Sequence, residues 1–175
     1  MPDEAVTAYS RAIEIKPDYA EAYYNSSFAY LKKGLIEDAI SMLKKGIEHS
    51  HDSGRLNFLL GNAYSDKGLS DEAIVSWKKA IEENPKYYKA HNNLGVAYYL
   101  KGLTDMAITS LKQATEIKDD YAEAHYHLFA WLTGCITGEA DQRIREGGGR
   151  HTQDDEDRQH PPSPAGTRSD VNCGF

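Results

Sequence analysis

The chain has 175 residues, with 20 Lys+Arg against 27 Asp+Glu, a net charge of -7 and a pI near 5.5. That length suits one domain or one compact array, and the charge balance lacks the dense cationic face that phosphate backbones require, so nucleic acid is excluded as a partner. No apolar run approaches the roughly 20 residues of a membrane helix, and Met1-Pro2-Asp3-Glu4 carries neither a basic region nor an apolar stretch. The expectation is a cytoplasmic protein that does not contact membrane. Cys135 and Cys173 fit neither a disulfide framework nor a paired metal-binding spacing.

Shifting the sequence by 34 residues aligns Tyr30, Tyr64 and Tyr98, and then Gly34-Leu35, Gly68-Leu69 and Gly102-Leu103. The same shift aligns Ala5, Ala39, Ala73 and Ala107, followed after three residues by Tyr9, Leu43, Trp77 and Leu111. A fixed period of this kind marks a repeat architecture. Residues 1–19 carry only the second half of the pattern, with Ala5, Tyr9, Ala12 and Pro17 in register. Residues 20–53, 54–87 and 88–121 each carry the whole of it.

In 54–87 the apolar residues Leu56, Leu59, Leu60, Ala63 and Tyr64 recur at helical spacing, and Gly68 closes that helix. Ser70 and Asp71 are expected to cap a second helix, buried along Ala73, Ile74, Trp77, Ala80 and Ile81, which Asn84-Pro85 ends. Residues 122–138 return to a first helix, with Phe129 where earlier units have Ser27, Gly61 or Gly95. Beyond it, Asp141, Arg145 and Gly148 stand where Ala, an aromatic and Ala are expected.

Residues 139–175 contain no Lys, five Arg and no Tyr, together with the runs Gly147–Gly149, Asp154–Asp157 and Pro161-Pro162-Ser163-Pro164. So little apolar surface cannot offset the entropy of ordering a backbone, and a disordered tail is expected. The abrupt change of composition fits either translation in a shifted frame or a genuine disordered segment.

Asn57-x2-Leu60-Gly61-x2-Tyr64, then Ala73-x3-Trp77, then Pro85, resembles the tetratricopeptide repeat (TPR) family. The next unit reads His91-x2-Leu94-Gly95-x2-Tyr98 and Ala107-x3-Leu111, with Asp119 in the proline place. The first full unit reads Tyr23-x2-Ser26-Ser27-x2-Tyr30 and Ala39-x3-Leu43, with His51 in that place. The resemblance implies an all-α, right-handed superhelical solenoid of antiparallel helix pairs, a TPR array over 1–138.

It also implies a non-catalytic scaffold that holds a peptide or helical segment of a partner protein in a concave groove lined by first helices. Family positions carried onto this sequence give Glu21, Tyr24, Asn25, Phe28, Arg55, Phe58, Asn62, Lys89, Asn92, Asn93, Tyr99 and Tyr126, with His127, Leu59 and Val96 at further groove places. The aromatics would be apolar anchors and the asparagines would pair with ligand backbone. Chaperone-binding members grip a C-terminal carboxylate with Lys at the fifth place of a repeat. Tyr24, Phe58 and Asn92 stand there, so likeness to that subclass is poor.

No motif points to catalysis. His125 and His127 lie two apart on one helix, roughly 200° around its axis, and cannot share an ion. His49 and His51 flank a helix end, where cations favour the exposed carbonyls. The acid run 154–157 lacks the spacing of a calcium loop, no base accompanies Cys135, and Asn25-Ser26-Ser27 falls inside a helix. Neither metal nor cofactor is expected. Two further expectations remain: a substrate-recruiting fragment of a larger enzyme such as a glycosyltransferase or kinase, or self-association through the terminal half repeats.

Overall fold

The computed structural model describes residues 2–133, and among them are eight α-helices and no strand. They are α1 (Pro2–Ile15), α2 (Ala20–Lys32), α3 (Ile36–His49), α4 (Gly54–Asp66), α5 (Ser70–Glu83), α6 (Tyr88–Leu100), α7 (Thr104–Ile117) and α8 (Ala122–Thr133). Expectations for the end of the last half repeat, for the tail and for both cysteines lie outside the described residues. Every helix packs on the next in sequence, and α2 also touches α4 as α6 touches α8. The even-numbered first helices therefore crowd along one side of the array, and the odd-numbered second helices take the other.

Each helix pair is closed by the same turn. Lys33, Lys67 and Lys101 end the first helices. Gly34, Gly68 and Gly102 follow with φ of 74°, 77° and 75°, and the amides of Leu35, Leu69 and Leu103 return to the carbonyls of Tyr30, Tyr64 and Tyr98. This bonding satisfies carbonyls that the helix end would otherwise orphan, and its left-handed backbone explains the glycine at period 34.

The same leucines are the N-caps of α3, α5 and α7, with no side-chain capping bond. Ser70 and Asp71, expected as caps, are instead inside the first turn of α5. Their place is set by the turn, which delivers the chain to the next helix with leucine already at the boundary. Acidic first-turn residues then favour the positive helix end, and Glu37 and Asp71 pair with Lys67 and Lys101 at 2.9 and 2.7 Å.

Close approach within a pair depends on missing side chains. A Cβ on Gly61 would stand 2.5 Å from the Trp77 ring, and one on Gly95 would stand 2.8 Å from Leu111. In the first full repeat the sites are shared differently. Ser27 and Leu43 hold the places of Gly61 and Trp77 there, and a Cβ on Gly46 of α3 would meet the Tyr23 Cβ at 2.7 Å. The later equivalents of Tyr23 are Asn57 and His91, and there Ala80 and Ala114 replace Gly46. Total volume is conserved while its location moves, as a close-packed interior demands.

Turns between repeats use polar side chains. The Glu83 carboxylate accepts the Ser53 amide at 3.0 Å, the Ser53 hydroxyl, and the Asn57 amide at 3.3 Å, so α5 caps the start of α4. His91 and His125 point a ring Nε2 at the carbonyls of Pro85 and Asp119, at 3.0 and 2.7 Å.

Candidate peptide-binding groove

The even helices carry the side chains that the sequence assigned to a groove. On α2, Tyr24 is half-buried beneath the Arg55 guanidinium of α4, 4.5 Å from its ring centre, and Lys32 lies over Phe28 at 5.1 Å. Both contacts combine a cation with an aromatic face, and the first joins two successive repeats. Glu21 is exposed and Asn25 half-buried on the same helix.

Further along, an amide chain runs from repeat to repeat. Asn62 Oδ1 accepts the Trp77 indole N–H and the Asn93 amide, each at 3.0 Å. Asn92 donates to Asn93 Oδ1 at 3.4 Å, and His127 Nδ1 meets Asn92 Oδ1 at 3.1 Å. With Asn92 accepting, that ring nitrogen carries the proton. One continuous polar line thus connects α5, α4, α6 and α8. Beside it, the Tyr99 and Trp131 rings stack at 4.3 Å with a 5° tilt, and His127 stacks on Trp131 at 5.4 Å. Burial holds the His127 imidazole below its ordinary pKa, opposed in part by the Glu123 carboxylate.

This arrangement revises part of the expected site. Phe58, Asn62 and Asn92 are buried, as are Leu59 and Val96. Phe58 packs on Tyr87 at 4.6 Å, and the side-chain oxygens of both asparagines accept hydrogen bonds from neighbouring helices. A buried amide costs about 1–3 kcal/mol when unpaired, which explains why these residues bond to one another. Asn93, Lys89 and Tyr99 are half-buried, and Lys89 lies 6.0 Å from the Tyr88 ring. Tyr126 is 53 % exposed and meets His127 edge-on.

Trp131 was not anticipated, although its place four residues beyond His127 puts both on one face of α8. The indole bond from Trp77 was legible in principle, because a buried Trp N–H needs an acceptor.

The opposite face holds a cleft of about 420 Å³ between α3 and α5, floored by Leu60 and Tyr64 of α4. Among the described residues there is no group of three or more His, Cys, Asp or Glu able to hold a metal, and no helix is long and apolar enough to cross a membrane.

A stacked series of antiparallel helix pairs with amide and aromatic side chains along its first helices defines a helical-repeat protein. Models described as TPR repeat and tetratricopeptide repeat match residues 3–34, 61–102 and 88–121, and the chain belongs to the tetratricopeptide repeat family. It is similar to the crystal structure of MamA at 26% identity and TM-score 0.68, over 85% of this chain and 86% of that one. It is similar in fold to YrrB, titled a TPR protein with an unusual peptide-binding site, at 21% identity and TM-score 0.63, over 84% and 74% of the two chains. The first TPR of Spaghetti (RPAP3), bound to the HSP90 peptide SRMEEVD, aligns at 20% identity and TM-score 0.63, over 67% of this chain and 94% of that one. No curated protein matches the chain. The array is accordingly a right-handed superhelical solenoid of antiparallel helix pairs.

Proposed function

We propose that this chain is a non-catalytic adaptor that holds an extended or helical peptide of a partner protein along α2, α4, α6 and α8. The carrying observation is that half-buried aromatic and amide side chains on the first helices are held in place by their neighbours. Tyr24 is braced by Arg55, Tyr99 by Trp131, and Asn93 by Asn62. Side chains held in place before binding lose little freedom on contact, which favours affinity. The peptide-binding site of YrrB and the peptide complex of the first TPR of RPAP3, both of this fold, support the same reading.

The ligand surface consists of Glu21, Tyr24, Asn25, Phe28, Arg55, Lys89, Asn93, Tyr99 and Tyr126, with Phe58, Asn62 and Asn92 as the frame beneath. Glu21, Arg55, Lys89 and Glu123 place two cations between two acids along the array, which favours a peptide of mixed charge over a strongly acidic or basic one. Selection of a displayed random-peptide library on the full chain tests this. Enriched peptides should bind the parent at least tenfold more tightly than a Tyr24→Ala/Tyr126→Ala variant of unchanged helicity. Equal binding to both would remove the groove assignment.

A further inference from the structure

The outer cleft between α3 and α5 is independent of the groove, and its α5 wall has a pattern of its own. Glu72, Val75, Ser76 and Lys79 follow at i, i+3, i+4 and i+7, so they form one stripe spanning about 10.5 Å of helix. Val75 is 53 % exposed at the centre of that stripe, while Ser76 is buried and turns its hydroxyl back to the Glu72 carbonyl at 2.8 Å. The stripe therefore offers an apolar knob beside a notch, with an acid at one end and a base at the other.

We propose that this face pairs with the same face of a second copy, α5 against α5 in antiparallel order about a two-fold axis. Centred between Val75 and Ser76, the pairing sets Glu72 of each copy opposite Lys79 of the other. Each Val75 then stands over the other's Ser76 and the cleft beside it, where Ile47 and Leu60 supply apolar surface. A two-fold interface requires self-complementarity, and an acid and a base equidistant from the centre of one helix provide it.

The register explains why α5 carries this contact and its counterparts do not. One repeat earlier, α3 has Asp38 and Lys45 but an exposed polar Ser41 at the centre. One repeat later, α7 has Met106, Thr109 and Gln113, with neither charge. Pairing through the outer faces would leave both inner grooves open, so the dimer would present two peptide sites at once. The dimer itself does not depend on that function.

The contact is smaller than a standard interface of about 800 Å² per partner, so association is weak and salt-sensitive. Sedimentation velocity on the full chain, over a hundredfold concentration range and at low and high salt, should show a monomer–dimer equilibrium that salt weakens. Glu72→Lys and Lys79→Glu, both at exposed positions, should each weaken self-association at least tenfold by placing like charges opposite. Mixed together, those two variants should form a heterodimer at parent strength, because the mixture restores both pairs. A monomer throughout, or parent-like association of both single variants, overturns the proposal. The second outcome would transfer association to another face, such as the terminal helices with exposed Ile15 and Leu132. Failure of the mixture to associate would equally overturn the two-fold pairing.

Discussion

The repeats 20–53 and 54–87 fold to one plan with different side chains at its closest points. In 54–87 the first helix gives up volume at Gly61 so that the second can bury Trp77, whose indole is then anchored to Asn62. In 20–53 the first helix keeps the bulk of Tyr23 and the second gives way at Gly46. The comparison teaches that the family pattern constrains a sum of volumes across a helix pair rather than the identity of either member. It also locates the rigidity of the array, since only the later repeat ties its closest contact to a hydrogen bond that extends into the next repeat.

The largest expected effect is therefore in 54–87. Trp77→Ala should cost about 3–5 kcal/mol in urea unfolding, because it leaves a large cavity against Gly61 and removes one of the two hydrogen bonds to Asn62 Oδ1. Next, Gly46→Val should cost about 1–3 kcal/mol by overpacking Tyr23 and Leu56, and a compensating Tyr23→Ala in the same chain should recover part of the loss. Full additivity of those two changes would break the volume-sum reading.

Glu83→Ala should cost about 1–2 kcal/mol through the lost cap on α4, measured by thermal and urea unfolding together. Ser27→Ala should cost less, about 1 kcal/mol or below, because that hydroxyl bonds only the Tyr23 carbonyl of its own helix at 2.7 Å. Smaller again is a pH effect. His127 is held below 6.5, so the unfolded chain binds its proton more readily. Stability is full above about pH 6.5 and falls as pH drops toward the folded value, and His127→Gln should flatten that part of a melting-temperature profile. Lys67→Ala should leave the urea-unfolding midpoint essentially unchanged, since its pairing with Glu37 is exposed and screened.

Much of this was legible in the sequence because its pattern is periodic. Gly34, Gly68 and Gly102 marked the turns, and Ala39, Ala73 and Ala107 marked the second helices at the register where the structure has them. What periodicity could not resolve is how one groove position differs from the next. Tyr24, Phe58 and Asn92 share the fifth place of their repeats, yet Tyr24 is half-buried and the other two are buried. The reason is the neighbour: Tyr87 covers Phe58, and His127, from the following repeat, bonds Asn92. Contacts of that kind join residues about one period apart, so a family position carried over singly does not contain them. The expected caps at Ser70 and Asp71 failed for a related reason. Their side chains suit capping, but the bonding of the preceding turn had already fixed the boundary one residue earlier.

The turn glycines have one more consequence. At Gly34, Gly68 and Gly102 an added Cβ would meet no atom within 4 Å, so glycine is required there by handedness alone and not by space. A residue of mirror-image chirality adopts positive φ without strain and restricts the unfolded chain more than glycine does. Chemical synthesis with D-alanine at these three places should therefore yield an array that melts higher than the natural one, while L-alanine at the same places should melt lower. Stereochemistry at three α-carbons would set the stability of the whole stack.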